Sequence, residues 1–189
     1  MKFGFFYFKP SHFAFAYPYL TTLFFLTALM NKIILNSEIT IYNSAEELPF
    51  DIQKSLQKAI EIRENAYAPY SKFKVGVAVV LENGEVVLGT NQENAAYPSG
   101  LCAERVAVFQ AGTLYPEVPI LALLISAASE TNTTNTPIPP CGACRQAIAE
   151  YEFKQNKPIE IYFTGAVGQV YLSNSISNLL PLSFNKSSL

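Results

Sequence analysis

The chain has 189 residues, of which 50% are hydrophobic and 15% charged; this balance excludes a disordered chain and is typical of one globular domain. Its net charge of −2 argues against a protein that coats nucleic acid through a basic surface. Three cysteines are too few for a disulfide scaffold, and their odd number leaves one unpaired under any bridging scheme. Metal binding or catalysis is therefore the better interpretation of them.

The amino-terminal segment is aromatic and almost uncharged. Residues 1–30 hold 11 of the 25 phenylalanine and tyrosine residues, and only two lysines in this stretch are charged. A signal peptide or a membrane anchor is one interpretation, although two prolines interrupt the apolar run. We favour a start of translation at Met30, so no membrane association is expected. On this interpretation, residues 1–29 lie outside the fold and residues 30–189 form a single domain.

The predicted elements begin after this segment with a helix and a hairpin. A capping-box pattern at 44–47 precedes apolar residues at helical spacing, which predicts a first helix that ends near 67–69. A valine-rich strand over 73–81 follows. The Asn83-Gly84 pair is a hairpin signal, and the chain then returns as a strand over 85–89.

Helices and strands alternate in the rest of the chain. The pattern predicts helices over 102–114, 141–153 and 173–180, and strands over 119–127, 158–164 and 167–172. This order predicts an α/β fold, a three-layer α/β/α sandwich with a mixed five-stranded sheet covered on both faces. The polar stretch 129–140 receives no function.

All three cysteines fall at the predicted starts of two helices. Cys102 begins one of them, and Cys141 and Cys144 stand at CxxC spacing at the start of the other. Unpaired backbone N–H groups and the positive end of the helix dipole stabilise a thiolate there. Three thiolates would leave the fourth position of a zinc ion for water, as in a catalytic zinc site. A redox-active CxxC pair remains an alternative.

Glu104 lies two residues after Cys102 and thus near the expected metal. There it could take a proton from the zinc-bound water without binding the metal itself. The alternative is that its carboxylate only complements the dipole in the first turn of a helix. The CxxC pair downstream favours the role of proton shuttle.

The run CAER at 102–105, followed by PCGACRQ at 140–146, resembles the zinc-dependent cytidine deaminases, specifically their homotetrameric, three-cysteine-ligand type. Further similar stretches are AYAPYSKFKVG at 66–76, NQENAAYPSGLCAER at 91–105 and NLLPLSF at 178–184. The resemblance implies a cytidine deaminase-like fold with one zinc ion per subunit. It also implies hydrolytic deamination of cytidine and deoxycytidine, with release of ammonia, in cytoplasmic pyrimidine salvage. A deaminase acts on its base through such zinc chemistry and a non-ligand glutamate.

The same resemblance assigns roles to individual residues. It implies that Cys102, Cys141 and Cys144 bind zinc. Glu104 would move protons to the pyrimidine N3 and then to the departing amine. The implied contacts to the nucleoside are the Phe73 ring against the base, Asn91 and Glu93 on the ribose hydroxyls, and the Ala103 N–H on the base carbonyl.

Four further residues receive implied roles, each with a simpler alternative. Arg105 and Arg145 would offset the negative charge of the thiolates, whereas Arg145 could equally be a surface charge. Tyr67 and Phe184 would reach the site of an adjacent subunit in a homotetramer, or they could be local core aromatics. The alternatives for Asn91 and Glu93 are turn chemistry and a solvated charge, and Phe73 could be a core residue.

Three rival functions remain open at this level. The first is deamination of a related cytosine-containing small molecule, such as an antibiotic nucleoside. Deamination of a base within nucleic acid is disfavoured, because the sequence has no basic track beside aromatic residues. The third is a zinc-stabilised interaction module, which explains the CxxC pair but not the open fourth position of the metal.

Overall fold

The computed structural model describes residues 31–189. The expectation that residues 1–29 lie outside the fold concerns a segment outside this described part. Residues 36–189 form one compact unit. Among the described residues, no helix combines the length and the apolar character that crossing a membrane requires.

Six strands and three α-helices make up the described fold. In chain order they are β1 (Thr40–Tyr42), α1 (Phe50–Arg63), β2 (Phe73–Leu81), β3 (Val86–Thr90), α2 (Ala103–Leu114), β4 (Ile120–Ser129), α3 (Gly142–Gln155), β5 (Glu160–Thr164) and β6 (Val170–Ser173). The strand order is β1-β6-β5-β4-β2-β3. Only β4 and β5 run parallel, so the sheet is mixed, and the predicted α/β fold is confirmed.

Strand alternation divides the core into two layers. Because successive side chains of a strand point to opposite faces, Val77 and Val79 of β2 pack with α2 and α3. Ala78 lies between them and packs on the other face with Leu56 and Ala59 of α1. Helices therefore cover both faces of the sheet, and the face that carries α2 and α3 also carries the cysteines.

The sheet has six strands, and the prediction of five was wrong. The additional strand, β1, lies at the edge of the sheet and pairs antiparallel with β6, with Thr40 opposite Leu172 and Tyr42 opposite Val170. Its length of three residues is too short to show the alternation that identifies a strand in a sequence.

Two predicted helices also differ from the structure. Ser44 makes no side-chain capping bond, and α1 begins only after Pro49 and ends at Arg63, earlier than expected. The predicted terminal helix over 173–180 is a short 3₁₀ turn, Ile176–Asn178. The first residues of the predicted helix are not helical, because Ser173 ends β6 and the side chain of Ser175 caps the turn.

Two glycines shape the region that leads to the cysteines. Gly84 has a φ of 88°, as the predicted hairpin turn between β2 and β3 requires. At Gly89 a Cβ atom would lie 2.6 Å from the nitrogen of Ala107 and 2.8 Å from the oxygen of Ala103. Strand β3 and helix α2 are thus in backbone contact, which fixes the start of α2.

Candidate metal centre and adjoining cleft

Helices α2 and α3 bring the three thiols together. Cys102 is the residue immediately before α2, Cys141 precedes α3, and Cys144 lies in the first turn of α3. The Sγ atoms of Cys102 and Cys141 are 3.9 Å apart, and those of Cys141 and Cys144 are 3.4 Å apart. All three sulfur atoms lie within 4.8 Å of one another.

This spacing fits a zinc ion. Zinc–sulfur bonds of about 2.3 Å in a tetrahedron place neighbouring sulfur atoms about 3.8 Å apart, close to both measured separations. Within residues 31–189, no histidine, aspartate, glutamate or further cysteine joins this group as a fourth ligand. The cysteines also differ in exposure, since Cys144 is buried and Cys141 is exposed. The donor set can therefore hold three corners of a tetrahedron and leave the fourth to another group.

One of the three thiols, that of Cys102, is electrostatically prepared to lose its proton. A hydrogen bond from Cys144 is the largest influence on Cys102 and, together with Arg105, lowers the Cys102 pKa to about 5. The same contact and burial raise the pKa of the Cys144 thiol. Cys102 thus loses its proton before Cys144, and its position at the start of α2 adds the stabilising end of a helix dipole.

Glu104 is a buried carboxyl in the first turn of α2, beside the thiols. Its exposed fraction is 5%. Burial raises its pKa above the ordinary value, and the charge on Cys102 raises it further, against the opposing effects of its own backbone N–H and the Cys144 thiol. A carboxyl that holds its proton more tightly than usual, next to a metal-binding group, is suited to proton transfer.

The two arginines predicted beside the sulfurs have different surroundings. Cys102 and Cys144 raise the pKa of Arg105, although burial opposes this. Arg145 instead donates from Nε to the carbonyl oxygen of Pro140 at 2.8 Å and from Nη1 to that of Leu179 at 2.7 Å. Of the two, Arg105 is therefore the arginine that the thiols influence, whereas Arg145 bonds main-chain oxygen atoms.

A cleft of about 270 Å³ opens beside Cys102. Four of the predicted site residues line it, namely Asn91, Glu93, Cys102 and Arg105. The other lining residues are Gln92, Asn94, Tyr97, Gly100 and Leu101. These five were not predicted, although they all fall inside the 91–105 motif.

Backbone groups already hold Asn91 and Glu93 in place. Asn91 accepts through Oδ1 from the Val75 N–H at 2.8 Å and donates through Nδ2 to the Phe73 oxygen at 2.9 Å. Glu93 accepts through Oε2 from the N–H groups of 70–71 at 2.9 and 3.2 Å. Among the described residues, the second amide hydrogen of Asn91 and Oε1 of Glu93 make no hydrogen bond, so both can take a further partner. The turn chemistry considered as an alternative is thus present and leaves capacity for a ligand.

Four further predicted residues are not among those that line the cleft. Phe73 is half-buried at the start of β2, and Ala103 is buried as the first residue of α2. Tyr67 and Phe184 have exposed fractions of 54% and 60%. Neither of these two is a core residue of this chain, which removes the simpler alternative for both.

Comparison with known proteins places this centre in context. The family described as "Cytidine and deoxycytidylate deaminase zinc-binding region" matches residues 50–157, a range that includes all three cysteines and Glu104. The cytidine deaminase of Sporosarcina psychrophila is 38% identical over 139 residues, which are 74% of this chain and 95% of that protein. That of Halalkalibacterium halodurans is 40% identical over 134 residues, covering 71% and 94% of the two chains.

A solved structure shows the same similarity in three dimensions. The crystal structure of cytidine deaminase from Burkholderia pseudomallei has a TM-score of 0.60 and 40% sequence identity, and the match covers 69% of this chain and 97% of that one. The described fold of this chain therefore contains nearly the whole of that protein.

Proposed function

The chain belongs to the cytidine and deoxycytidylate deaminase family, and we propose that it catalyses the zinc-dependent hydrolysis of cytidine and deoxycytidine to uridine and deoxyuridine, with release of ammonia. The observation that carries this function is the convergence of three thiols from two helices beside a buried carboxyl, at the edge of a cleft. A zinc-stabilised interaction module needs neither the carboxyl nor the cleft.

The side chains of Cys102, Cys141 and Cys144 would hold the zinc ion. When bound there, zinc supplies a water acidic enough to act as a nucleophile near neutral pH. Three thiolates carry more negative charge than one zinc ion neutralises, and two features of the chain offset the excess. These are the amino-terminal ends of α2 and α3 and the guanidinium of Arg105.

Glu104 would carry the protons of the reaction. Its raised pKa makes the carboxyl hold a proton more tightly than an ordinary glutamate, which suits it to take up and deliver protons. We assign to it the transfer to N3 of the pyrimidine, which makes C4 more electrophilic, and then the transfer to the amine that leaves C4. Burial keeps bulk water from competing for these protons.

The cleft would bind the nucleoside. We assign the free amide hydrogen of Asn91 and the free Oε1 of Glu93 to the ribose hydroxyls, because an amide and a carboxylate can together bind a diol. Phe73 would contact the flat base, and the backbone N–H of Ala103, at the start of α2, would donate to the base carbonyl.

The assembly and cellular role are part of the same proposal. The exposed rings of Tyr67 and Phe184 would complete the cleft of an adjacent subunit, which supports a homotetramer. Thiolate ligands suit a reducing compartment, consistent with pyrimidine salvage in the cytoplasm.

A direct assay tests the function. The purified full chain is incubated with cytidine, deoxycytidine and a cytosine-containing antibiotic nucleoside, while absorbance and released ammonium are followed and zinc is quantified. We expect one zinc ion per chain and turnover of the first two substrates. Glu104→Gln should bind zinc but turn over substrate far more slowly than the parent, whereas the matched control Glu150→Gln, at an exposed site of α3, should retain activity. Turnover of the antibiotic alone, or equal turnover by Glu104→Gln, would contradict the proposal.

A further inference from the structure

We propose that Arg145 is a positioning residue of the metal centre, which fixes the peptide in front of Cys141 and fastens it to the carboxyl-terminal segment 179–184. This inference rests on the proposed zinc site. Its basis is the pair of guanidinium contacts, 2.8 Å from Nε to the Pro140 oxygen and 2.7 Å from Nη1 to the Leu179 oxygen.

The Pro140 carbonyl controls the position of the Cys141 thiol. That carbonyl and the nitrogen of Cys141 belong to one planar peptide unit, so rotation of the unit redirects the Cys141 side chain. Pro139 and Pro140 have no N–H groups, so only carbonyl groups of these two residues can anchor the peptide by a hydrogen bond. Cys141 is also the exposed thiol of the three, and packing restrains it least.

The second contact of Arg145 ends on a well-held point. The N–H of Leu179 donates to the Ile176 oxygen at 2.9 Å, and Leu179 packs against the core. The N–H of Ile176 in turn donates to the buried carboxylate of Glu152 at 3.1 Å. Arg145 therefore connects the peptide at the metal centre to a fixed turn, not to a free chain end.

Arginine suits this role because of its shape. The guanidinium is planar, presents its donors in a fixed fork and stays charged, so its two bonds to carbonyl groups are charge-assisted and share one orientation. A lysine ammonium can keep the charge but not the fork.

The adjacent residue offers a control for the contact with the carboxyl-terminal segment. Gln146 donates through Nε2 to the Phe184 oxygen at 2.8 Å and has no bond to Pro140 among the described residues. At the other end of α3, Lys154 donates to the Pro116 oxygen at 2.8 Å. Lys154 thus makes the same kind of contact, from a cation to a distant carbonyl, far from the thiols along the helix.

The experiment compares Arg145→Gln, Arg145→Lys, Gln146→Ala and Lys154→Gln in the full chain. Zinc affinity is measured by competition with a chelator, and the absorption spectrum of the cobalt-substituted protein reports the geometry of the thiolate ligands. We expect Arg145→Gln to bind zinc about 10–100-fold more weakly and to shift the cobalt–thiolate bands. Arg145→Lys should lose less affinity, and the two control variants should match the parent in both measurements.

Several outcomes would overturn the inference. Parent-like zinc affinity and spectrum in Arg145→Gln would do so, as would an equal loss in Lys154→Gln, which would show a general effect on stability. If Arg145→Gln does not fold, Arg145→Lys decides, and unchanged zinc affinity and spectrum in it overturn the inference. A parent protein that binds no zinc would overturn the proposed function and this inference together, whereas the other outcomes leave the proposed function standing.

Discussion

Glu104 of α2 and Glu152 of α3 are buried to nearly the same degree, but their surroundings differ. Their exposed fractions are 5% and 9%. Glu152 accepts hydrogen bonds from the N–H groups of Ile159 and Ile176 and from the hydroxyl of Ser175, at 2.8, 3.1 and 2.6 Å. Burial raises the pKa of Glu104, and among the described residues only its own backbone N–H and the Cys144 thiol oppose this as hydrogen-bonding partners.

The difference separates a structural carboxylate from the one that we propose to be reactive. Glu152 joins the end of α3 to the segment before β5 and to the turn after β6, and its hydrogen bonds compensate the cost of its burial. Glu104 keeps acceptor capacity for a substrate, beside three thiols. Burial alone does not distinguish the two carboxyls; their hydrogen bonding and the neighbouring thiols do.

Removal of one thiol beside Glu104 should have the largest effect of all the changes considered. Cys144 is the buried ligand, and we expect Cys144→Ala to lose zinc and all detectable deamination. The free energy of unfolding should fall by several kcal/mol, below the roughly 10–16 kcal/mol that structural zinc supplies in small peptides. Metal analysis and calorimetry, each with and without chelator, test this. A folded variant that deaminates without metal would contradict the assignment.

The next largest effect is expected at Glu104. Glu104→Gln should keep its zinc and lose about 10²–10⁴-fold in kcat, the usual contribution of a positioned general acid or base. Steady-state kinetics on zinc-quantified samples measure the loss. A fall in zinc content that accounts for the lost activity would show instead that the carboxylate supports the metal.

The same variant tests the raised pKa in the metal-free protein. A raised pKa means that the folded state holds its proton after the unfolded state has lost it, so stability falls as the pH rises above the ordinary glutamate value of 4.5. Metal-free Glu104→Gln should therefore gain stability relative to the metal-free parent at about pH 8, and the gain should shrink toward about pH 5. Denaturant unfolding at both pH values decides, and a gain independent of pH would contradict the assignment.

Glu152→Gln should produce the opposite pattern. A glutamine oxygen in place of Oε2 can accept from both N–H groups, but the NH₂ group in place of Oε1 forces the Ser175 hydroxyl to reverse its hydrogen bond. Because the bonds also lose their charge assistance, we expect a loss of about 1–3 kcal/mol in unfolding free energy. The kcat per zinc-loaded, folded molecule should stay within about twofold, because Glu152 contacts no thiol. The exposed Glu150→Gln is the control, with less than about 0.5 kcal/mol expected. A large loss of kcat at full zinc occupancy would abolish the distinction between the two glutamates.

The smallest effect is expected at a buried hydroxyl with one partner. Tyr162 donates to Glu160 Oε2 at 2.9 Å, and burial followed by Glu160 raises its pKa. The contribution of Tyr162 to stability is fully present below its ordinary pKa of 10 and is lost as the pH rises beyond it. Tyr162→Phe should cost about 1 kcal/mol near neutral pH and should reduce the loss of stability above about pH 10. Equal alkaline sensitivity in both proteins would contradict the pKa shift.

The main elements of the fold could be predicted from local patterns, because each has a strong periodicity. The strand over 73–81 matches β2 residue for residue. Strand β1 could not be predicted, since three residues carry no pattern and only pairing with β6 defines them. The capping box over 44–47 did not predict the start of the helix correctly. The Glu47 carboxylate accepts hydrogen bonds from the backbone and side chain of Asn43, and not from the N–H of Ser44 as a capping box requires.

The site could be predicted in part for a related reason. The three cysteines and Glu104 stand in short motifs at helix starts, so their convergence needs only the packing of two helices. The partners of Arg145 could not be predicted, because Leu179 lies 34 residues away along the chain and main-chain oxygen atoms leave no signature in a sequence. The backbone contacts of Asn91 and Glu93 were missed for the same reason.

The close approach at Gly89 has a consequence for how this enzyme could be adapted to other nucleosides. Strand β3 touches the main chain of α2 there. A larger residue at this position would therefore push α2 outward and increase the distance between Cys102 and the two cysteines of α3. The rim of the cleft is built differently, from loops that pair with one another through Tyr67, Gln92 and Leu101. If the cleft binds the nucleoside as proposed, we expect substitutions in those loops to change substrate preference without moving α2 against α3.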